Sequence, residues 1–417
     1  MQSMKLDVDY VRSQFNQIHD NPDFVFCSNA GGSYVANQVN QILNHYNHHT
    51  RVQPYERYTT STQAGEAMDK AIHGWSEALN ISSNELTIGP STSMNTYVMA
   101  QAIGANLNPG DEIIVTNQDH EANSGVWRRK AEEKQVTLKE WRVQPDTGLL
   151  DPEDLYQLLS EKTQWVFFTH CSNIVGSSNP VKKITSEVKN YNSDIKVFVD
   201  AVAYAPHRIC NLKDLGVDGY AFSLYKVFGP HQSLMYINSE ILQSLAPQCH
   251  YFNTEYQNKL FNPAGPQHAQ VASCAGVLNY FDELHKHHFR ETHDGKSMTD
   301  RLADIGHLIH DYENHLTQPI LDFLDNHKNV RLIGKSHIND GDRAPTIAFK
   351  PLHNSSLEIS SRIQHHDIGC ESSNFYAYRL ISDLGIDPED GVVRVSLVHY
   401  STPEEVEKII HAMDASL

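Results

Sequence analysis

Short apolar runs alternate with helical stretches between about residues 80 and 240, and this alternation restricts the folds open to the chain. The runs cover residues 112–116, 164–169, 196–200, 219–223 and 234–237. Between two of them, Asp151 and Pro152 supply an acidic N-cap and a proline at the first helical position. Near-continuous apolar strands separated by helices predict a mostly parallel sheet covered on both faces. We therefore expect an α/β fold, with this sheet in a large domain.

The pattern changes after about residue 290. A long helical stretch at 297–326 precedes strands near 330–333 and 346–349, and a capping box begins a final helix at Thr402. This order predicts a smaller α+β C-terminal domain. We expect residues 24–288 to form the large domain, and residues 1–23 with 289–417 to form the small one. Residues 8–18 fit one short amphipathic helix, and the polar segment 285–295 fits a linker or a solvated helix.

Composition narrows the class of protein further. The 417 residues carry a formal net charge of −18 without a long basic run, which argues against nucleic acid or an anionic membrane as a partner. No apolar stretch approaches the roughly 18 residues of a membrane-spanning helix. The N-terminal residues show no apolar segment typical of a secretion signal, so we expect none. Six scattered cysteines without a C-x-x-C pair predict reduced thiols in a cytoplasmic protein.

Polar side chains follow the predicted strands at the points where the strands end. Asp200 closes one strand, Lys226 lies three residues after another, and His120 and Asn173 follow two more, while a Gly-Pro-Ser-Thr-Ser loop at 89–93 precedes a helix. Because parallel α/β sheets bind ligands beyond the carboxyl ends of their strands, we expect these groups to converge. Such a set suits pyridoxal phosphate, which needs a lysine, a carboxylate beside its pyridine nitrogen, and hydroxyls with helix N-terminal amides for its phosphate.

Several segments carry a resemblance to one family. They read VFVDAVAYAPH followed by FSLYKVFGP, CSNIVGSSNPV, DHEANSGVW and GVVRVSLVHYSTPEEVEKI. In this order and spacing they resemble the class V aminotransferase and cysteine desulfurase group of fold-type I pyridoxal-phosphate enzymes, over about residues 24 to 413. NAGGS at 29–33 and FNPAGPQH at 261–268 are similar to its poorly characterised cysteine desulfurase-like subfamily.

The resemblance implies a role for each residue of the site. Lys226 would hold the cofactor as a Schiff base and shuttle protons, Asp200 would pair with the pyridine nitrogen, and His120 would stack on the ring. Asn173 would donate a hydrogen bond to the ring hydroxyl, and Arg394 would bind the substrate α-carboxylate in a bidentate fork. The other implied contacts are Ser91, Thr92, Ser223 and Tyr225 to the phosphate, and Asn29, Gly31 and Gly32 along the substrate pocket.

Three positions depart from the family pattern. Ala203 stands where the family often has Gln or His, and Tyr225 stands where it usually has His before the lysine. Cysteine desulfurases carry a catalytic cysteine on a late loop, whereas Cys370 has a strand-like setting that does not match that loop. We therefore do not assign Cys370 as a persulfide carrier.

Simpler interpretations stand beside these roles. Asp200 would suit a helix N-cap, His120 a satisfied core histidine, and Arg394 a structural ion pair. The 25 histidines include clusters at 45–49, 285–288 and 365–366, which lack the carboxylate or cysteine partners of a defined zinc site. We therefore predict no metal site, and keep a histidine-rich metal-binding protein as an alternative.

The leading prediction for function is a pyridoxal-phosphate enzyme that acts on a small amino acid by cysteine desulfurase-like carbon–sulfur lyase chemistry. A class V aminotransferase or an amino-acid epimerase is the alternative among enzymes, because these reactions share their first step at the α-carbon. A cofactor carrier or regulator without catalysis is the alternative outside enzymes, and Ala203 favours it. The resemblance also implies a homodimer in which residues 261–268 reach the phosphate bound by the partner subunit.

Overall fold

The computed structural model describes residues 5–338 and 342–417. Its strands are β1 (Val25–Phe26), β2 (Leu86–Gly89), β3 (Glu112–Thr116), β4 (Thr137–Trp141), β5 (Thr163–Thr169), β6 (Lys196–Asp200), β7 (Gly219–Ser223), β8 (Ser233–Ile237), β9 (Val330–Ile333), β10 (Thr346–Pro351), β11 (Ile368–Gly369), β12 (Glu371–Ser373) and β13 (Val392–Ser396). Its α-helices are α1 (Val8–Ser13), α2 (Asn16–Asp20), α3 (Asn37–His49), α4 (Thr59–Ala78), α5 (Thr92–Gly104), α6 (Gly125–Lys134), α7 (Pro152–Leu158), α8 (Val181–Tyr191), α9 (Leu212–Leu215), α10 (Ser239–Leu242), α11 (His268–Ser273), α12 (Ala275–His288), α13 (Met298–Asn326), α14 (Ser356–Gln364), α15 (Tyr378–Asp383) and α16 (Pro403–Ser416).

The larger sheet has seven strands in the order β2-β8-β7-β6-β5-β3-β4. The pairs from β7 to β4 are parallel, and β8 runs antiparallel to both of its neighbours. Alternate residues enter two separate apolar clusters: Phe168 and Val199 pack on one face, and Phe167 and Phe198 on the other. The predicted mostly parallel sheet with both faces covered is confirmed.

The two edge strands of this sheet were absent from the sequence prediction. β4 reads TLKEW and is buried only at Trp141, so it offers no apolar run. β2 is buried but only four residues long, which is too short for periodicity to reveal. The central strands, by contrast, are five to seven residues long and almost wholly buried, which makes their apolar runs distinct.

The C-terminal part forms a four-stranded antiparallel sheet in the order β12-β13-β10-β9. Helices α13, α14 and α16 contribute Leu321, Ile363 and Met413 to an apolar cluster with this sheet, and the capping box that begins α16 is present. A smaller α+β unit is therefore confirmed. Its predicted boundaries stay a prediction, and β1 pairs in parallel with β11 of the C-terminal part.

The prediction of one helix at residues 8–18 was wrong. The chain forms α1 and α2, and it breaks at Phe15, whose backbone is extended. The Phe15 ring is fully buried and packs edge-on against Phe228, Tyr280 and Tyr400. Val11 and Ile18 are buried as well, so the predicted apolar face is present although the helix is interrupted.

The segment 285–295 is neither a linker nor a wholly solvated helix. α12 runs into it, and His285 is fully buried. Its Nδ1 lies 3.0 Å from Nδ1 of His293, and its Nε2 lies 3.1 Å from Oδ2 of Asp304. The polar composition of the segment did not predict this burial, because the buried imidazoles have polar partners inside the fold. No helix in the described ranges is long and apolar enough to cross a membrane.

Candidate active site

One pocket lies at the carboxyl edge of the larger sheet. Eight residues predicted for the site line it: Ser91, Thr92, His120, Asn173, Asp200, Ser223, Tyr225 and Lys226. They meet because each follows a strand that ends at this edge, and Thr169 at the end of β5 is in register with Asp200 at the end of β6. The pocket is also lined by Ser93 of the predicted 89–93 loop and by Ala203, the position that departs from the family pattern. Four further lining residues were not predicted: Ala122, Thr169, Cys171 and Val202.

Lys226 lies in a single helical turn directly after β7 and is buried. Burial and the nearby Arg394 guanidinium together lower the pKa of its amine to about 8, against the opposing effect of Asp200. Two residues later, Phe228 has a left-handed backbone with φ of 59°. Its N–H donates to Ser33 Oγ at 2.8 Å, and its carbonyl accepts from Ala36 N–H at 2.9 Å. These bonds hold the bend that follows the lysine.

Asp200 is the last residue of β6 and lies at the buried end of the pocket. Its Oδ1 accepts a hydrogen bond from Val202 N–H at 2.9 Å. Burial raises the pKa of this carboxyl to about 6, against the opposing effects of that hydrogen bond and of Lys226. A cation placed beside it would favour the ionised form.

His120 begins the loop after β3. Its Nδ1 lies 3.1 Å from Ala122 N–H and accepts that hydrogen bond, so Nδ1 carries no proton. Burial lowers the pKa of the imidazole to about 3, and the positive charges of Lys226 and Arg394 act in the same direction. The ring is therefore a neutral, flat surface at the pocket wall.

A group of hydroxyls stands at the N-terminus of α5. Ser91 caps this helix by accepting from Met94 N–H at 3.1 Å. Thr92 Oγ1 lies 2.8 Å from both Ser223 Oγ and Ser233 Oγ. Hydroxyls together with the free amides of a helical first turn form an anion-binding site. Beside it, the Tyr225 ring stacks on His231 with centroids 4.7 Å apart.

Arg394 comes from β13 of the C-terminal sheet and is 4% exposed. Its Nη1 donates to the Asn173 carbonyl at 3.0 Å, while its Nε is buried without a hydrogen-bond partner in the described residues. Burial lowers the pKa of the guanidinium to about 9. A buried cation is costly unless it is paired, so a guanidinium with an unpaired Nε is suited to accept an anionic group.

The 29–33 loop lies between Arg394 and Tyr225. A Cβ on Gly31 would lie 3.9 Å from Arg394 Nη2, and one on Gly32 would lie 3.5 Å from the Tyr225 ring. Asn29 is buried, and its Nδ2 donates to the Ser396 carbonyl at 2.9 Å while its Oδ1 accepts from the Tyr400 hydroxyl. These bonds anchor the loop. The predicted substrate contacts of Asn29, Gly31 and Gly32 stay predictions.

Two cysteines bear on sulfur chemistry. Cys370 is 1% exposed, packs in the C-terminal apolar cluster, and does not line the pocket. Cys171 does line the pocket, but its Sγ lies 3.4 Å from the Gly176 carbonyl, and burial raises the pKa of its thiol to about 12. Both thiols are therefore held protonated at neutral pH.

The sequence analysis missed Phe375 and Tyr376, which reach the site from the C-terminal part. The Phe375 ring lies 3.6 Å from the Arg394 guanidinium, and its carbonyl accepts from Asn173 Nδ2 at 3.0 Å. The Tyr376 ring lies 5.2 Å from the His120 ring. The local sequence signal is an aromatic pair before α15, because Asn173 and His120, which these two residues contact, lie more than 200 residues earlier in the chain. Within the described ranges, no group of three or more histidine, cysteine or acidic side chains could hold a metal ion.

This fold and pocket define a class: α/β enzymes whose ligand lies at the carboxyl edge of the sheet against a buried lysine. Residues 25–308 match the model of the class V aminotransferase family. An aminotransferase-like protein of Gibberella zeae is 35% identical over 100% of both chains, and a cysteine desulfurase of Serratia proteamaculans is 25% identical over 98% of this chain and 97% of its own. The chain belongs to the class V aminotransferase family, which is pyridoxal-phosphate-dependent.

Solved structures agree on the fold. The cysteine desulfurase CsdA of Escherichia coli matches with a TM-score of 0.81 and 18% identity, over 99% of this chain and 98% of its own. A cysteine desulfurase of Thermococcus onnurineus matches with a TM-score of 0.83 and 20% identity, over 100% and 99%. The resemblance inferred from the motifs is confirmed, and the chain is an enzyme of this family.

Proposed function

We propose that this enzyme holds pyridoxal phosphate on Lys226 and acts on a small amino acid by cleaving a carbon–sulfur bond. The observation that carries the proposal is Arg394: a buried guanidinium with an unpaired Nε, held beside the pocket that contains Lys226 and Asp200. An amino-acid α-carboxylate supplies the anion that this cation lacks, and its geometry suits a bidentate pair.

The residues present fit the cofactor. The Thr92 and Ser223 hydroxyls at the start of α5 would bind its phosphate, Asp200 would pair with its pyridine nitrogen, and the neutral His120 ring would cover one face. The depressed pKa of Lys226 supports its role, because the unprotonated amine is the form that attaches. When bound, the cofactor supplies an electron sink that acidifies the α-hydrogen of the substrate.

The same residues divide the work on the substrate. Arg394 would bind the carboxylate of the amino acid and so orient the substrate. This orientation sets the direction of the bond between the α-carbon and its hydrogen. Lys226 would take that proton on Nζ, and its pKa of about 8 suits transfer near neutral pH. His120, neutral and held by Ala122, would limit water at the reacting carbon. The substrate's thiol would then leave as sulfide.

The test of cofactor attachment is Lys226→Ala. We expect the purified wild-type enzyme with pyridoxal phosphate to show a visible absorbance band. Borohydride should abolish this band and attach the cofactor permanently to Lys226. Lys226→Ala should lose both the band and the labelled peptide. A Lys226→Ala protein that keeps the band on another lysine would refute the assignment. Lys213→Ala, which removes an exposed lysine from the short helix α9, serves as the matched control.

The test of the reaction is L-cysteine with product analysis. We expect sulfide, pyruvate and ammonia in equal amounts, because the thiols of Cys171 and Cys370 are protonated and neither is exposed as a sulfur acceptor. Cys370→Ala should release sulfide at the wild-type rate. Alanine with protein-bound sulfur would instead show transfer to a cysteine.

Transamination is the second candidate, because the relative in Gibberella zeae is named aminotransferase-like and matches along its whole length. A keto acid formed in proportion to the enzyme, without sulfide and with loss of the visible band, would identify it. A change in the optical rotation of the amino acid, with no other product, would identify epimerisation. Product analysis therefore separates these candidates from carbon–sulfur cleavage.

We further propose a cytoplasmic homodimer. Tyr251, Phe252 and Tyr256 are exposed by more than half, on the segment that leads to residues 261–268. Large aromatic side chains exposed together are typical of a subunit interface. Six free cysteines are consistent with a reducing compartment.

A further inference from the structure

A strained turn crosses from the C-terminal part to the pocket. The 374–376 turn (Asn374, Phe375 and Tyr376) connects β12 towards α15, and Phe375 and Tyr376 both have left-handed backbones, with φ of 47° and 61°. Two successive residues other than glycine adopt this conformation only where their surroundings hold them. Here the Tyr376 carbonyl accepts from Glu121 N–H at 2.7 Å, next to His120. The turn is therefore held in place by the candidate site itself.

Phe375 restricts how Arg394 can bind an anion. Its ring covers one face of the guanidinium at 3.6 Å, and Nη1 is already bonded to the Asn173 carbonyl. The edge formed by Nε and Nη2 remains for a bidentate carboxylate, with Gly31 leaving space beside Nη2. The Nε atom is inaccessible to solvent in this structure, however. A carboxylate therefore reaches this edge only if the protein groups around Nε move aside.

We propose that the 374–376 turn positions and gates the carboxylate site: Phe375 holds the guanidinium plane of Arg394, and the turn shifts to admit a carboxylate to the Nε–Nη2 edge. This inference rests on the proposed function, since it takes an amino-acid α-carboxylate as the anion. Closure of the ring over the bound pair would exclude water and strengthen the ion pair. Phe375 acts through Arg394 and is a positioning residue, and Tyr376 links the movement of the turn to the His120 ring.

Hydrogen–deuterium exchange on the enzyme loaded with pyridoxal phosphate tests the movement. L-Alanine and ethylamine both present a primary amine to the site, and they differ by the carboxylate. We expect L-alanine to change the exchange of backbone amides at 374–378 while ethylamine leaves it unchanged. Equal effects of the two ligands would contradict the proposal that the turn is a gate. So would the absence of an effect at a concentration of L-alanine that saturates the change of the visible band.

Binding titrations test the role of the Phe375 ring. Phe375→Ala should raise the concentration of L-alanine that half-saturates the change of the visible band by about five- to tenfold, and that of ethylamine by less than about twofold. Phe375→Tyr keeps the ring and should restore wild-type values. Tyr378→Leu removes an exposed ring from the same segment and is the control. A loss of equal size for both ligands would mean general damage to the pocket and would contradict the proposal.

The two proposals fail in different ways. If the chain does not hold the cofactor on Lys226, both ligands leave the absorbance unchanged in the wild type, and the proposed function fails. The exchange experiment on the cofactor-free protein still reports on the turn in that case, because Arg394 and Phe375 contact each other directly. An unchanged turn in that experiment overturns the gate, and a shift produced by L-alanine alone supports it.

Discussion

Two buried cations define the residue-scale chemistry of the site. Lys226 and Arg394 are each exposed by less than a tenth, and the arginine contributes to lowering the pKa of the lysine. Burying like charges together costs stability, and such sites are retained where a ligand uses them. The whole chain has a formal net charge of −18, so the local charge at this site is opposite in sign to the net charge of the protein. A substrate carboxylate at Arg394 and an anionic cofactor in the pocket would offset this positive charge.

The rate at which cofactor-free protein captures pyridoxal phosphate should rise with pH through about 8 and level off above it. The reason is that the unprotonated Lys226 amine reacts, and its pKa is lowered to about 8 by burial and by Arg394. Arg394→Gln removes the repulsion, so the pKa rises and the midpoint moves to higher pH. Stopped-flow absorbance measures the rate. Arg362→Gln, which removes a surface arginine paired with Glu358, should leave the midpoint in place; a stationary midpoint in Arg394→Gln would contradict the electrostatic coupling.

At the element scale, the packing of α3 against α12 helps to fix the position of the bend that follows Lys226. α3 and α12 cross at Gly276, where an added Cβ would lie 2.5 Å from Val39 Cα and 2.6 Å from its nitrogen. These are backbone atoms, which cannot move aside as a flexible side chain could. α3 begins directly after Ala36, and the Ala36 N–H donates a hydrogen bond to the Phe228 carbonyl. The crossing therefore supports the bend that follows Lys226.

Gly276→Ala should lower the free energy of unfolding by about 2 kcal/mol, because the methyl group forces the two helices apart. Urea denaturation followed by circular dichroism measures the change. Gly295→Ala is the matched control, since nothing lies within 4 Å of a Cβ at that position. Equal stability of the two variants would show that the crossing tolerates a methyl group.

At the scale of the whole molecule, the segment around Tyr251 and Phe252 presents two large aromatic side chains to solvent. Tyr251 is 87% exposed and Phe252 is 63% exposed. Fixed on a monomer, such rings would leave a large apolar patch in solvent. A second copy of the chain would cover them and bring residues 261–268 towards the other pocket.

Light scattering should give the mass of two 47.2 kDa chains. Phe252→Glu should shift the mass towards one chain and weaken cofactor retention, because it places a charge in the proposed interface. Tyr191→Glu changes another exposed aromatic, on α8, and should remain dimeric. A monomeric wild type that keeps cofactor and activity would contradict the homodimer.

The sequence alone determined the larger sheet, its direction and the residues at its carboxyl edge. Asp200, Ser223 and Lys226 could be assigned because each lies within a few residues of a long apolar strand, and parallel strands bring such positions together whatever the rest of the chain does. The edge strands β2 and β4 could not be predicted from the sequence, because the apolar run of β2 is short and that of β4 is weak.

Only the tertiary structure decided the environment of Arg394, the approach of Phe375 and Tyr376, the burial of Cys370 and the break at Phe15. Each of these depends on contacts between segments far apart along the chain. Periodicity reports which face of an element is buried, but it carries no information about which distant residue covers that face. The lysine and its strand can therefore be predicted from the local sequence, whereas the contacts of Phe375 with Asn173 and of Tyr376 with His120 form only once the two sheets have packed together.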